Sequence, residues 1–111
     1  MNDAQQSAIL DMVKVDLGIS SPAYNQRLAQ YIAAAAQAIE EEGAALDLER
    51  PASLQLVAMY VEYLWRRRDT GDGMPRMLRY ALNNAIFKTA LAKQTAEAVA
   101  DFSEEAGGAD G

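Results

Sequence analysis

Cysteine and histidine are both missing from these 111 residues. Without cysteine there is no disulfide framework, no thiolate zinc site and no cysteine nucleophile. Without histidine the commonest general base and the commonest transition-metal ligand are gone. Serine and lysine fall in no motif that would replace them. The expectation is a protein that is not an enzyme and holds no cofactor and no metal. Long apolar runs are missing too. Nothing approaches the ~18–20 residues that span a bilayer. The opening Met1-Asn2-Asp3-Ala4-Gln5-Gln6 has neither the basic nor the apolar part of a signal peptide. A soluble chain, made in the cytoplasm and with no membrane contact, is expected.

Proline is scarce, and each of the three prolines has positional meaning. A proline fits the first helical position, where its missing N–H costs nothing. Ser21-Pro22 therefore starts one helix, Pro51 a second and Pro75 a third. Ser53 is a competing N-cap for the Pro51 helix. A further helix spans about Asp3–Asp16, with Ile9, Met12, Val13 and Leu17 at helical spacing and Gly18 as its stop. An extended piece at Val13–Val15 is an alternative there. In the Ser21 helix, Tyr24, Leu28, Tyr31, Ile32, Ala35 and Ile39 mark one face. Gly43 is its expected C′ residue. Leu54, Val57, Val61, Leu64 and Trp65 form a stripe on the Pro51 helix, and Leu56, Met59, Tyr60 and Tyr63 fill much of the rest. A helix apolar on more than one face is usually central in its domain or buried in an oligomer. Leu78, Leu82, Ala85 and Ile86 recur on the last helix, which weakens into an alanine-rich stretch near Phe102.

The expected fold is thus all-α. It is a small bundle of about four helices with a helical C-terminal extension. Residues 1–102 make a single domain, and 103–111 an acidic, glycine-rich tail that is disordered in the free chain. The core should contain Leu28, Ile32, Ile39, Leu54, Val57, Val61, Leu64, Trp65, Leu78 and Leu82.

Charge is uneven. The net value is −6. Residues 1–65 hold three basic against nine acidic side chains. Residues 66–93 hold Arg66, Arg67, Arg68, Arg76, Arg79, Lys88 and Lys93 against Asp69 and Asp72. Residues 94–111 hold five acids and no base. Such segregation can steer subunits or partners into register. Three acids, Glu40–Glu42, end the second helix and oppose its dipole, by roughly 0.3–1 kcal/mol each if exposed. That conflict points to a basic neighbour.

The run Met59–Phe87 carries the most information. An aromatic-rich helix ends in three arginines, a glycine turn follows, and a proline opens a helix with two more arginines. Gly71-Asp72-Gly73 has neither the lysine and serine of a P-loop nor the ligand series of a calcium loop, so it reads as a turn. Arginine beside tyrosine and tryptophan is the composition of protein interfaces. Arg66, Arg67, Arg68, Arg76, Arg79 and Tyr80 are the candidate partner or ring-interface residues. A small helical DNA-binding regulator using Arg66–Arg79 is the alternative, since arginines on a helix-loop-helix can contact phosphates. The acidic balance of the whole chain opposes it.

Tyr63-Leu64-Trp65-Arg66-Arg67-Arg68, the Gly71-Asp72-Gly73 turn and the stretch Met74–Asn84 resemble the small head–tail connector proteins of tailed bacteriophages, also called adaptor or head-completion proteins. The family commonly ends a central helix on an aromatic-x-x-Arg pattern, followed by a proline and paired leucines, here Pro75, Leu78 and Leu82. The resemblance spans about residues 9–88. Ser20-Ser21-Pro22 replaces the aspartate-rich stretch that the family often has, and the alanine-rich C-terminus has no counterpart in it. The resemblance implies a virion neck protein: a ring of about a dozen copies on the portal protein, presenting a surface to the next neck or tail-completion protein. DNA would pass through its channel without sequence-specific binding.

Overall fold

The computed structural model describes the backbone of residues 1–110 and the side chains of 1–99. Four α-helices and one 3₁₀ turn follow one another, and no strand occurs among the described residues. We label the helices α1 (Asp3–Leu17), α2 (Asn25–Glu41), α3 (Pro51–Thr70) and α4 (Arg76–Asp110).

Each boundary has a local cause. At the start of α1, Asn2 accepts from the Gln5 backbone N–H at 2.7 Å, and the Gln5 side chain accepts from the Asn2 N–H at 3.0 Å. This reciprocal box satisfies two donors that the first turn leaves free. Gly18 ends α1 in the left-handed region at φ 70°, and Gly71 ends α3 at φ 69°. A side chain with a Cβ is disfavoured in that conformation. The backbone of Val13–Val15 is helical, which removes the extended alternative.

Ser21 does cap, accepting from the Ala23 N–H at 3.1 Å. What it caps is a 3₁₀ turn, Pro22–Tyr24, and α2 proper begins only at Asn25. Lys14 of α1 donates to the Asn25 side chain at 2.8 Å and ties this corner to α1. Pro51 opens α3 as expected from its fixed φ, and the competing Ser53 cap is not used, because Ser53 lies inside the helix. Pro75 precedes α4, and its carbonyl accepts from the Arg79 N–H.

The backbone of α4 runs to Asp110, past the Phe102 end expected from its fading periodicity. The disordered-tail expectation for 103–111 falls on residues whose side chains lie outside those described.

Helix α3 is the hub and packs against α1, α2 and α4. Its two apolar stripes explain this, because a helix with one stripe could meet only one side of a bundle. Leu56, Val57, Ala58, Tyr60, Val61 and Trp65 are all buried on it. Val57 and Val61 are fully enclosed, each contributing on the order of 1.5–3 kcal/mol by burial. Leu28, Ile32, Ala35 and Ile39 of α2 and Leu78 and Leu82 of α4 close on them. Helix α1 adds Ile9 and Val13 at zero exposure. Leu54 and Leu64, expected in the centre, are half-buried at its margin. They lie on the side of the α3 stripe where neighbouring helices cover them only in part. Of Ala33–Ala36, only Ala35 is buried.

Helix α4 is held to the bundle by its first four turns. Thr89 is the last point of attachment: its hydroxyl accepts from the Ala45 N–H at 2.9 Å. From Ala90 to Val99 every residue is exposed.

Candidate functional site

The end of α3, the turn after it and the start of α4 bring the candidate arginines to one end of the bundle. Arg66, Arg67 and Arg68 are exposed on the last turn of α3, where cations are favoured by the helix dipole. Aromatic residues one turn earlier order two of them. The Arg68 guanidinium lies 3.8 Å from the centroid of the Trp65 ring. Arg67 sits 5.9 Å from the Tyr63 ring and donates to the Tyr63 hydroxyl at 3.3 Å. A cation over an aromatic face at an exposed site contributes roughly 0.5–1 kcal/mol. The arrangement fixes two long side chains that would otherwise be mobile.

Trp65 is the pivot between this surface and the core. Its ring meets Tyr24 edge-on at 5.8 Å and Tyr31 edge-on at 5.5 Å. Those contacts come from the 3₁₀ turn and from α2, so one residue joins three elements. Its outer face remains open for Arg68. The sequence reading of Trp65 as a core residue matches this position.

Arg79 is used differently. Its Nη1 lies 3.3 Å from Glu42 Oε1, at the end of α2. This is the basic neighbour that the acidic C-terminus of α2 called for. Both side chains are partly exposed, and such a pair contributes little by itself, about 0–1 kcal/mol. Its effect is to hold the start of α4 against the end of α2. Arg79 is therefore half-buried and internally committed, while Arg66 and Arg76 make no ion pair among the described residues. Tyr80 is exposed but stands on the side of α4 away from the bundle. The six candidates accordingly fall in three places: Arg66, Arg67, Arg68 and Arg76 around the turn, Arg79 paired with Glu42, and Tyr80 on the outer face of α4.

A groove of about 410 Å³ opens between the end of α3 and the start of α4. Met59, Tyr63, Pro75, Met77 and Leu78 give it an apolar floor, and Arg66 and Arg67 stand on its rim. Glu62, Asp69 and Asp72 line it too, so an apolar trough is edged by charges of both signs, as at the polar rim of a protein interface.

Glu62 also lines this groove and neighbours Asp16 of α1, and it is a residue that sequence reasoning did not single out. Burial raises its carboxyl to about 7, the adjacent Asp16 carboxyl adds to the rise through a hydrogen bond and its charge, and Arg66 opposes it. Glu62 Oε2 is buried without a hydrogen-bond donor among the described residues. Protonation of Glu62 reconciles the two facts, since it turns this carboxyl into a donor that Asp16 can accept from. The only sequence signal was an acid inside an otherwise apolar segment of α3. No group of acids able to hold a metal ion is found among the described residues.

Comparison with protein-family models, with curated proteins and with solved structures finds no match to this chain.

Proposed function

We propose that the chain is a structural neck protein of a tailed bacteriophage, a head–tail connector that assembles as a ring on the portal and joins the head to the tail. The resemblance of Tyr63–Asn84 to that family supplies the reading. The observation that carries it is the arginine end of α3: exposed cations held by Tyr63 and Trp65 beside an apolar groove. Ordered arginine next to aromatic and apolar surface is the make-up of a protein interface. In this reading Arg66, Arg67, Arg68 and Arg76 meet a portal subunit or the next copy. A ring also needs one face of each copy to meet a different face of the next.

The test is sedimentation of the purified chain with portal rings at physiological salt. Co-sedimentation that weakens when Arg66 and Arg67 are both changed to Gln supports the reading. A chain that never joins portal at any salt or concentration overturns it. A mobility-shift assay at about 150 mM salt separates the DNA-binding alternative, for which sequence-specific binding near 10⁻⁸ M or tighter is expected.

A further inference from the structure

Helix α4 carries a second apolar stripe that its own bundle does not use. Leu78, Leu82 and Ile86 face the core. Tyr80, Asn84, Phe87, Leu91, Gln94 and Ala98 follow one another at alternating steps of four and three residues. With 3.6 residues per turn, that series lies on the side of the helix opposite the core. All six are exposed. Phe87 is 66 % exposed, Tyr80 58 % and Leu91 50 %. Met77, 73 % exposed, extends the same line by one step. An alternating three-four repeat is the seam of a coiled coil.

We propose that this seam pairs antiparallel with the same seam of a second copy of the chain. Two observations select that occupant and that direction. The first is the match of the seam to its own reverse. When two copies run antiparallel with Leu91 of one beside Phe87 of the other, Asn84 falls beside Gln94 and Tyr80 beside Ala98. The apolar layer sits at the centre. The amides, which would be costly against apolar partners, meet amides. The largest ring meets the smallest side chain, so the layers fill evenly. A parallel pair would also match amide with amide, but it would set Tyr80 on Tyr80 and Ala98 on Ala98, an overfilled layer and an underfilled one. The second observation is charge. The first half of α4 holds Arg76, Arg79, Lys88 and Lys93 and no acid, whereas its sequence from Glu97 to Asp110 holds five acids and no base. In this antiparallel register Arg76 and Arg79 of each helix stand level with positions 102 and 99 of the other, beside Glu97 and Asp101, while Lys88 of the two copies flanks the axis. Parallel pairing would align like charges. The interface is self-complementary, with a two-fold axis near Thr89.

This dimer does not rest on the neck reading, since it concerns the free chain and a face that shares only Met77 with the groove. It would also keep the extended half of α4 covered until another partner competes for it.

The measurement is the solution mass of the full chain up to about 100 µM, near physiological salt. The expected mass is twice the 12.1 kDa of one chain. Leu91→Glu should raise the dissociation constant by about 30-fold or more while leaving the bundle folded by circular dichroism and, in dilute solution, the thermal midpoint unchanged. Leu91 is outside the core, so the variant separates pairing from folding. Direction is read by disulfide trapping, because the chain has no cysteine of its own. A Tyr80→Cys chain mixed with an Ala98→Cys chain should cross-link, and Tyr80→Cys alone should not, since its two copies would stand about 27 Å apart along the axis. A monomer at every concentration, a dimer indifferent to Leu91→Glu, or cross-linking of Tyr80→Cys alone would each overturn the proposal.

Discussion

Helices α3 and α4 both carry apolar side chains on two sides, and the bundle treats them in opposite ways. On α3 both sides are covered, by α1 and α2 on one part of its surface and by α4 on another. On α4 only the side with Leu78 and Leu82 is covered, while Tyr80, Phe87 and Leu91 remain in solvent. Scattered exposed apolar residues are ordinary on a protein surface. Their recurrence at coiled-coil spacing along one helix, interrupted by the amides of Asn84 and Gln94, is not, and we read it as a surface for another chain to cover. The same kind of pattern thus holds one chain together in α3 and prepares it to meet another in α4.

The largest effect on this contrast is expected from Val61→Asp. Val61 is fully enclosed in the core. An unpaired carboxylate there costs several kcal/mol, a large part of the roughly 5–15 kcal/mol that stabilises a domain. Loss of the cooperative thermal transition, followed by circular dichroism, is the expected outcome. Next comes a matched pair on α4 itself. Leu82→Ala, on the covered side, should lose about 2–5 kcal/mol in urea denaturation. Leu91→Ala, on the open side, should stay within about 0.5 kcal/mol when the chain is dilute enough to be monomeric. Equal losses at the two sites would erase the distinction between the two faces.

The proline starts and glycine stops of the helices were legible in the sequence because they act locally. Pro51 and Pro75 set their own φ, and Gly18 and Gly71 supply the left-handed turn that other residues resist. The 3₁₀ turn at Pro22–Tyr24 was not legible. Ser21-Pro22 announces a helix start equally well for either geometry, and the edge-on contact of Tyr24 with Trp65 is made across the fold. The partner of Glu42 could be foreseen in kind, as a cation, but not as Arg79, which is distant in sequence. Leu54 and Leu64 share the period of the core residues. Periodicity names a face, and only the packing of neighbours decides how much of that face is closed. At the arginine end, composition identified the cations, but not that Arg68 stacks on Trp65 while Arg79 turns inward. Glu62 was hidden because its altered acidity comes from burial beside Asp16, a residue of another helix.

Glu62 sharpens the comparison within α3, as the one acid on the covered part of that helix whose protonation is clearly altered. Its folded carboxyl titrates near 7, above the ordinary 4.5. The folded chain therefore holds this proton more tightly than the unfolded chain. Stability from this group is full below pH 4.5 and is lost as pH rises toward 7. Glu62→Gln should flatten that part of the pH–stability curve and raise the thermal midpoint at pH 8 relative to the parent chain. An unchanged slope would mean that Glu62 is solvated and ionised throughout.

The smallest effect on folding is expected at the arginine end. Arg66 and Arg67 are exposed, and changing both to Gln should shift stability by no more than about 1 kcal/mol. A loss of several kcal/mol would make them structural and would withdraw them from the partner surface.

Hydrogen exchange along α4 tests most directly whether its outer side is built for another chain. The chain and its Leu91→Glu variant are compared at the same concentration of about 100 µM. Amides at 78–86, under the core, should be equally protected in both. Amides at 90–99, which no part of the same bundle covers, should be protected in the parent chain and exchange freely in the variant. Identical exchange at 90–99 in the two proteins would contradict the account.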